Sequence, residues 1–524
     1  MSDVTIVPGE LGGSSLSRLA QAGAAPVEWY PHRPRTPDEW RQRAEAVRAS
    51  APSGWRAALA PALGASSGAA ADRLARVVDG KGIVVTTGQQ PGLFGGPVYT
   101  WSKALSALTL ADAIEAETGI PTAPVFWAAT DDSDFAEGAY TWISRAGGAD
   151  RLTIESTMPD GTRVADVPLP DVGALLERLA AVSGSAADPR VLDHVRSAYS
   201  SPATVGSAYV NLLRAVLEPL GISVLDAAHT AVSTAAHPVL VRALHERERV
   251  ARALAERSAA LVAAGHVPQV ADVENLTLVF DRQESQRVRI ARARGAVAAA
   301  TATPGTLSPN VLLRPVVERA LMPTVAYVAG PGEIAYFAQV SAVAEALNAA
   351  APMAVPRWSA TLVEPHVAEI MGAHHLRIED FADPHAVETR LAREAWPSGI
   401  AKAMDHLRRD LAERLTGVRA SLQGLDGLAP SATVEGTARA LEWRLSRLER
   451  RISAAVKQRE TSLMRDLGTV RGSLFPGGNR QERALNLVPL LARHGLVLLE
   501  EMRRSAAAHA RGLVVAATES AVAS

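Results

Sequence analysis

The chain has 524 residues, with 54 Lys plus Arg against 55 Asp plus Glu and a formal net charge of −1; so even a balance gives no general pull toward nucleic acid or anionic lipid, and neither is expected as a partner. Cysteine is absent, which excludes disulfides and thiolate metal ligands. Hydrophobic content of 48% and charged content of 21% are those of an ordinary globular protein, and the length suggests about two to four domains.

In chain order, the opening MSDVTIVPGE has neither a basic nor an apolar signal region. No apolar run reaches about 18 residues, the length that spans a bilayer. A cytoplasmic protein is expected. Residues 1–80 read as a lead-in packed on the core, with Thr36 capping a helix that begins at Pro37. GIVVTT, from Gly82, is a β-branched run typical of a buried parallel strand. Gly95, Gly96 and Pro97 then open a helix with Val98, Trp101, Leu105 and Leu108 on its apolar face and Gly119 at its end. A second strand, PTAPVFWAA, runs into TDDSDFAEGAY.

Residues 81–144 thus read as the first half of a Rossmann-like core and 145–308 as an inserted connecting region. The strand, glycine turn and helix pattern returns in PTVAYVAGPGEIAYFAQV, and MAVPRWSATLV follows, so 309–380 is the second half. The fold class is α/β, a doubly wound parallel sheet, whose ligands bind beyond the carboxyl ends of the strands. Residues 381–470 read as an antiparallel coiled-coil arm. Leu407, Leu411, Leu415, Val418 and Leu422 form one seam; Val434, Ala438, Leu441, Leu445, Leu448, Ile452, Ala455 and Arg459 form the other, with Leu463 beyond and GLDGLAPSA between them. Bracing or dimerisation is the plain use of such an arm; the cluster Arg444, Arg447, Arg450 and Arg451 makes nucleic-acid binding the lesser alternative. Residues 471–524 read as a C-terminal helical segment.

Four segments at strand ends carry candidate chemistry. Around Gly88 and Gly92, backbone N–H groups would face an anion at a helix N-terminus. Gln89 and Gln90 donate and accept hydrogen bonds through neutral amides, and Tyr99 and Lys103 share one helix flank. Asp131, Asp132, Asp134 and Glu137 crowd one loop; such like charges raise one another's pKa and suit a cation, a substrate ammonium or proton removal. GPGEIA fits a G-x-G-x-x-A turn with Gly330, Gly332, Glu333 and Tyr336, but the acid expected about 20 residues later for a ribose is missing. Arg357, Ser359 and Thr361 offer a guanidinium and two hydroxyls for phosphate or carboxylate, and Asn310 and Arg314 lie near the return to the sheet. The plainer readings are a solvated Lys103, an acidic turn capped by Asp134 and a structural ion pair at Arg314. His366, His374 and His375 match no zinc-enzyme spacing, and no metal ligand is assigned.

TTGQQPGLFGGPVYTWSKALSALTLA, PVFWAATDDSDFAE, LSPNVLLRPVVERALMPTVAYVAGPGEIAYFAQV, PRWSATLVEP and LFPGGNRQERALNLVPLLARHG together resemble the bacillithiol-biosynthesis cysteine-adding enzyme family. The resemblance implies a ligase joining cysteine to the amine of glucosaminyl malate, on a core like that of class I aminoacyl-tRNA synthetases, with a coiled coil pairing two chains. Their HIGH and KMSKS signatures are missing; by position the 88–92 turn and the Arg357–Thr361 loop stand for them. The family's acidic loop often has histidine where this chain has Ser133, so either any work of that histidine is done otherwise or the chain has changed substrate. The expected mechanism activates the cysteine carboxylate with ATP as an acyl-adenylate, which the sugar amine attacks. Lys103, Arg357 and the two glycine turns would hold the anionic parts, and Asp131, Asp132 or Asp134 would hold the ammonium or take the proton. A non-catalytic nucleotide or small-molecule binding protein, or a ligase for another amino acid, is the alternative.

Overall fold

The computed structural model describes residues 2–64, 68–185, 187–283, 286–422 and 431–515. They form two compact units: those within 2–143, 151–364 and 479–515 make the first, and those within 144–150 and 365–478 the second.

The first unit is built on a five-stranded parallel sheet. Its strands are β1 (Ile83–Gln89), β2 (Thr122–Ala128), β3 (Ser223–Asp226), β4 (Thr324–Ala329) and β5 (Ala354–Pro356), in the order β5-β4-β1-β2-β3. Ile83, Val84 and Val85 are fully buried, as strands covered on both faces require. Helix α1 (Val98–Thr118) follows β1 and ends at Gly119, whose φ of 72° suits glycine. Lying between the sheet and the C-terminal helix Val497–Val514, α1 is buried on nearly every side, and its apolar positions are not confined to one stripe. Helix α2 (Arg314–Leu321) precedes β4, and α3 (Pro331–Ala346) follows it directly. The lead-in packs on this core through helix Pro37–Ala49, where the fully buried Trp40 donates to the Leu513 carbonyl at 3.4 Å.

The stretch 145–308, read as one insertion, contains β3. It is therefore two crossovers, one from β2 to β3 and one from β3 to β4. The second includes a three-stranded antiparallel sheet in which Leu276–Gln283 lies between Gln286–Ala291 and Leu307–Pro309. The C-terminal stretch is not a separate segment either, since residues 479–515 belong to the first unit.

The second unit is helical. Helices α4 (Ser398–Ser421) and α5 (Ser431–Arg459) pair as a coiled-coil hairpin, with Arg408 bonded to Glu442 at 2.6 Å and to Glu449 at 2.8 Å. Most of the GLDGLAPSA connection lies outside the described residues. The second seam is broken at Glu460, whose ψ of 60° ends the helix, so Leu463 falls in the next helix, Thr461–Leu474. The tip Ser144–Asp150 sits on that helix: Gly147 donates its N–H to Thr469 Oγ1 at 2.8 Å, and a Cβ at Gly472 would strike the Gly148 carbonyl. No helix among the described residues is long and apolar enough to cross a membrane.

Candidate active site

Strand order reverses between β1 and β4, and a crevice is expected beyond their carboxyl ends. A cavity of about 790 Å³ opens there. Gly88, Gln89, Gln90, Tyr99, Lys103, Asp131, Asp132, Asn310, Arg314, Gly330, Gly332, Glu333, Tyr336 and Arg357 all line it.

Gly92, Asp134, Ser359 and Thr361 do not. Gly92 packs so closely on Gly96 that a Cβ would meet the Gly96 Cα at 2.6 Å, so it serves the turn. Asp134 is an exposed N-cap accepting from the Glu137 N–H at 3.2 Å. Ser359 donates to Glu482 Oε2 at 2.7 Å, and Thr361 lies in the strand Ala360–Val363, paired with Val7.

The two glutamines orient their neighbours. Gln89 Nε2 donates to Tyr99 OH at 2.9 Å, while its Oε1 accepts from Lys103 Nζ at 3.0 Å. Gln90 Nε2 donates to Asp132 Oδ2 at 2.8 Å. Lys103 also donates to the Gly88 carbonyl at 2.8 Å and pairs with Glu333 at 2.5 Å. All three ammonium protons therefore have acceptors. Burial pushes the Lys103 pKa down. Burial would raise Glu333, but Lys103 and the donors Gly330 N–H and Tyr327 OH, each at 2.7 Å, hold it below the usual carboxylate range.

This arrangement departs from the expected phosphate grip. The N–H of Gly330, which caps α3, is bound by the chain's own Glu333. Arg357 is likewise engaged: its Nη1 donates to Glu482 Oε2 at 2.8 Å and to the Trp358 carbonyl at 2.9 Å. Arg314 faces Glu318 at 3.3 Å and the hydroxyls of Tyr327 and Tyr336 at 3.2 and 3.4 Å. Asn310 uses its Oδ1 to accept from the Leu312 and Leu313 N–H groups before α2. Asp131 differs. Its carboxylate makes no hydrogen bond or ion pair with the other described residues. Burial, with Asp132 beside it, raises its pKa, against the pull of Arg287, Arg314 and Arg163.

Sequence reasoning missed part of the wall. Arg287 and Phe280 come from the antiparallel sheet, the guanidinium lying 4.4 Å from the Phe280 ring centroid and 3.9 Å from Asp132. Arg287 also donates to Ser308 Oγ at 3.1 Å and the Pro309 carbonyl at 2.8 Å. Arg289, Asn479 and Arg483 add to the polar lining, as do Ser133 and Glu137 of the acidic loop. No local pattern marks Arg287, Phe280, Arg289, Asn479 or Arg483, although the last two lie in LFPGGNRQERALNLVPLLARHG. Among the described residues no cluster of three or more His, Asp or Glu is arranged to hold a metal ion.

Strand order and crevice define a Rossmann-like α/β protein with its site at the switch point and a coiled-coil unit appended. Residues 19–358 match the model of the bacillithiol biosynthesis BshC N-terminal Rossmann-like domain, and residues 360–512 match that of the BshC C-terminal coiled-coil domain. The chain is 30% identical over 441 residues to a protein of Solibacter usitatus, covering 81% of this chain and 82% of that one. It is 32% identical over 436 residues to one of Koribacter versatilis, covering 80% and 81%. Both relatives bear the name "Putative cysteine ligase BshC". The chain belongs to the BshC family of bacillithiol biosynthesis.

Proposed function

We propose that this enzyme joins the carboxyl group of cysteine to the glucosamine amine of glucosaminyl malate, forming the amide bond of bacillithiol. The observation that carries the reading is the gathering of the four strand-end segments around one cavity in a chain of this family. Its volume of about 790 Å³ is ample for small polar substrates.

A free carboxylate is a poor acyl donor, because oxide is a poor leaving group. ATP is the proposed co-substrate: the cysteine carboxylate would attack its α-phosphorus and release pyrophosphate, giving a cysteinyl adenylate from which AMP departs in the next step. Its fit rests on the switch-point crevice and on Gly332, which has open space where a Cβ would stand, and not on Lys103 or Arg357, whose charges are met by Glu333 and Glu482. In the amide-forming step the amine nitrogen bonds to the carbonyl carbon, the bond to the leaving oxygen breaks, and the amine proton passes to an ionised carboxylate acting as base. We assign that proton, or the substrate ammonium, to Asp131, a carboxylate just past the end of β2 with no partner among the described residues. Asp132, fixed by Gln90, and Arg287 would shape the electrostatics around it. Pairing of two chains through the helical arm belongs to the same proposal, and sedimentation of the purified chain tests it.

The purified full chain, given ATP, cysteine and glucosaminyl malate, is expected to form bacillithiol and AMP, read by mass spectrometry. Folded protein that yields no product across pH and divalent ions would overturn the reading. An amino-acid panel in a pyrophosphate-exchange assay would show a different donor, if there is one.

A further inference from the structure

The part of the LFPGGNRQERALNLVPLLARHG motif from Asn479 onward has no role in the reaction outlined above, yet most of its polar side chains are committed. Gln481 clamps the backbone of Leu362, accepting from its N–H and donating to its carbonyl, both at 2.7 Å. Glu482 takes Arg357 and Ser359. Asn486 donates to the carbonyls of Leu93 and Phe94 at 3.1 Å and accepts from the Val488 N–H at 2.9 Å. Arg493 forms a two-pronged bridge to Glu364 at 2.6 and 2.8 Å.

Arg483 is the exception. Its guanidinium lines the cavity and makes no hydrogen bond or ion pair with the described residues. The other cavity arginines, Arg287, Arg289, Arg314 and Arg357, each donate to a protein acceptor. Its backbone has little freedom, because Gln481 and Glu482 on one side and Asn486 on the other are buried and bonded. The segment therefore anchors the backbone from which one unpaired positive charge reaches the cavity. A planar fork of donors with no internal acceptor matches the paired oxygens of a carboxylate or a phosphate.

We infer that Arg483 binds an oxyanion of a substrate in this cavity, a carboxylate or a phosphate, and so sets the affinity for that substrate. The names of the substrates rest on the proposed function; the site itself does not. Calorimetry with the wild type, Arg483→Gln and Arg483→Lys, using ATP, cysteine and glucosaminyl malate as separate probes, tests this. One of the three is expected to bind the Gln variant about tenfold or more weakly, the loss of a charge-assisted contact, with partial recovery in the Lys variant. The probe affected tells phosphate from carboxylate. Because the side chain is exposed, both variants are expected to melt at the wild-type temperature, which separates weaker binding from misfolding. Equal affinities in all three proteins for every probe bound would overturn the inference, as would a wild type that binds none of them. Binding that depends on Arg483 without turnover would leave it standing and remove the ligase reading alone.

Discussion

The sheet-bearing unit and the helical arm are both rich in charge and use it in opposite ways. In the first, Lys103–Glu333 and Arg357–Glu482 are nearly shut off from solvent, with side-chain exposures of 4% and 17%, and of 2% and 4%. In the arm, Arg408 and Glu442 are 37% and 50% exposed. A buried pair has already given up hydration, so removing one member strands the other. An exposed pair returns to water at little cost. The buried pairs thus fix where the β1 turn, the start of α3 and the Arg357 loop stand, while the exposed ladder trims the hairpin.

That contrast can be broken by substitution. Glu482→Ala should have the largest effect, a loss of about 3–5 kcal/mol in urea unfolding, because Arg357 loses its buried counter-charge and Ser359 its acceptor. A loss no greater than that of a surface pair would show that Arg357 is not held as described. The next effect is one of pH. Burial pushes the Glu318 carboxyl up to about 7 from 4.5, against the opposing charge of Arg314. An acid with a raised folded pKa holds its proton better folded than unfolded. Its stabilising contribution is therefore complete below the unfolded value and is lost as pH rises through about 7. Glu318→Gln should flatten the stability curve across that interval; an unchanged slope would contradict the assignment. The smallest effect is expected from Arg408→Ala in the arm, at most about 1 kcal/mol, with turnover unaltered.

Much of the sheet was legible. The runs GIVVTT and PTVAYVA announce buried strands, and the glycine turns after them mark the crevice. The strand Ser223–Asp226 was not, because four residues between helices carry too little periodicity. The strand-end residues were legible as a group, since polar side chains at the ends of apolar strands have few packing uses. Their commitments were not. Glu333 follows Lys103 by 230 positions, and Glu482 follows Arg357 by 125, so only tertiary folding reveals that both expected phosphate cations are already paired. Arg287 and Arg483 escaped for the same reason: their places in the wall depend on how distant segments pack.

The central claim is that the cavity's charges divide into those that hold the fold and at least one, Asp131, left for the substrate. Comparing turnover with unfolding in Asp131→Asn tests it most directly. The expected result is a fall in kcat of about a hundredfold with unfolding free energy kept within about 1 kcal/mol of wild type. Turnover at the wild-type rate, or a loss of stability like that in Glu482→Ala, would contradict it.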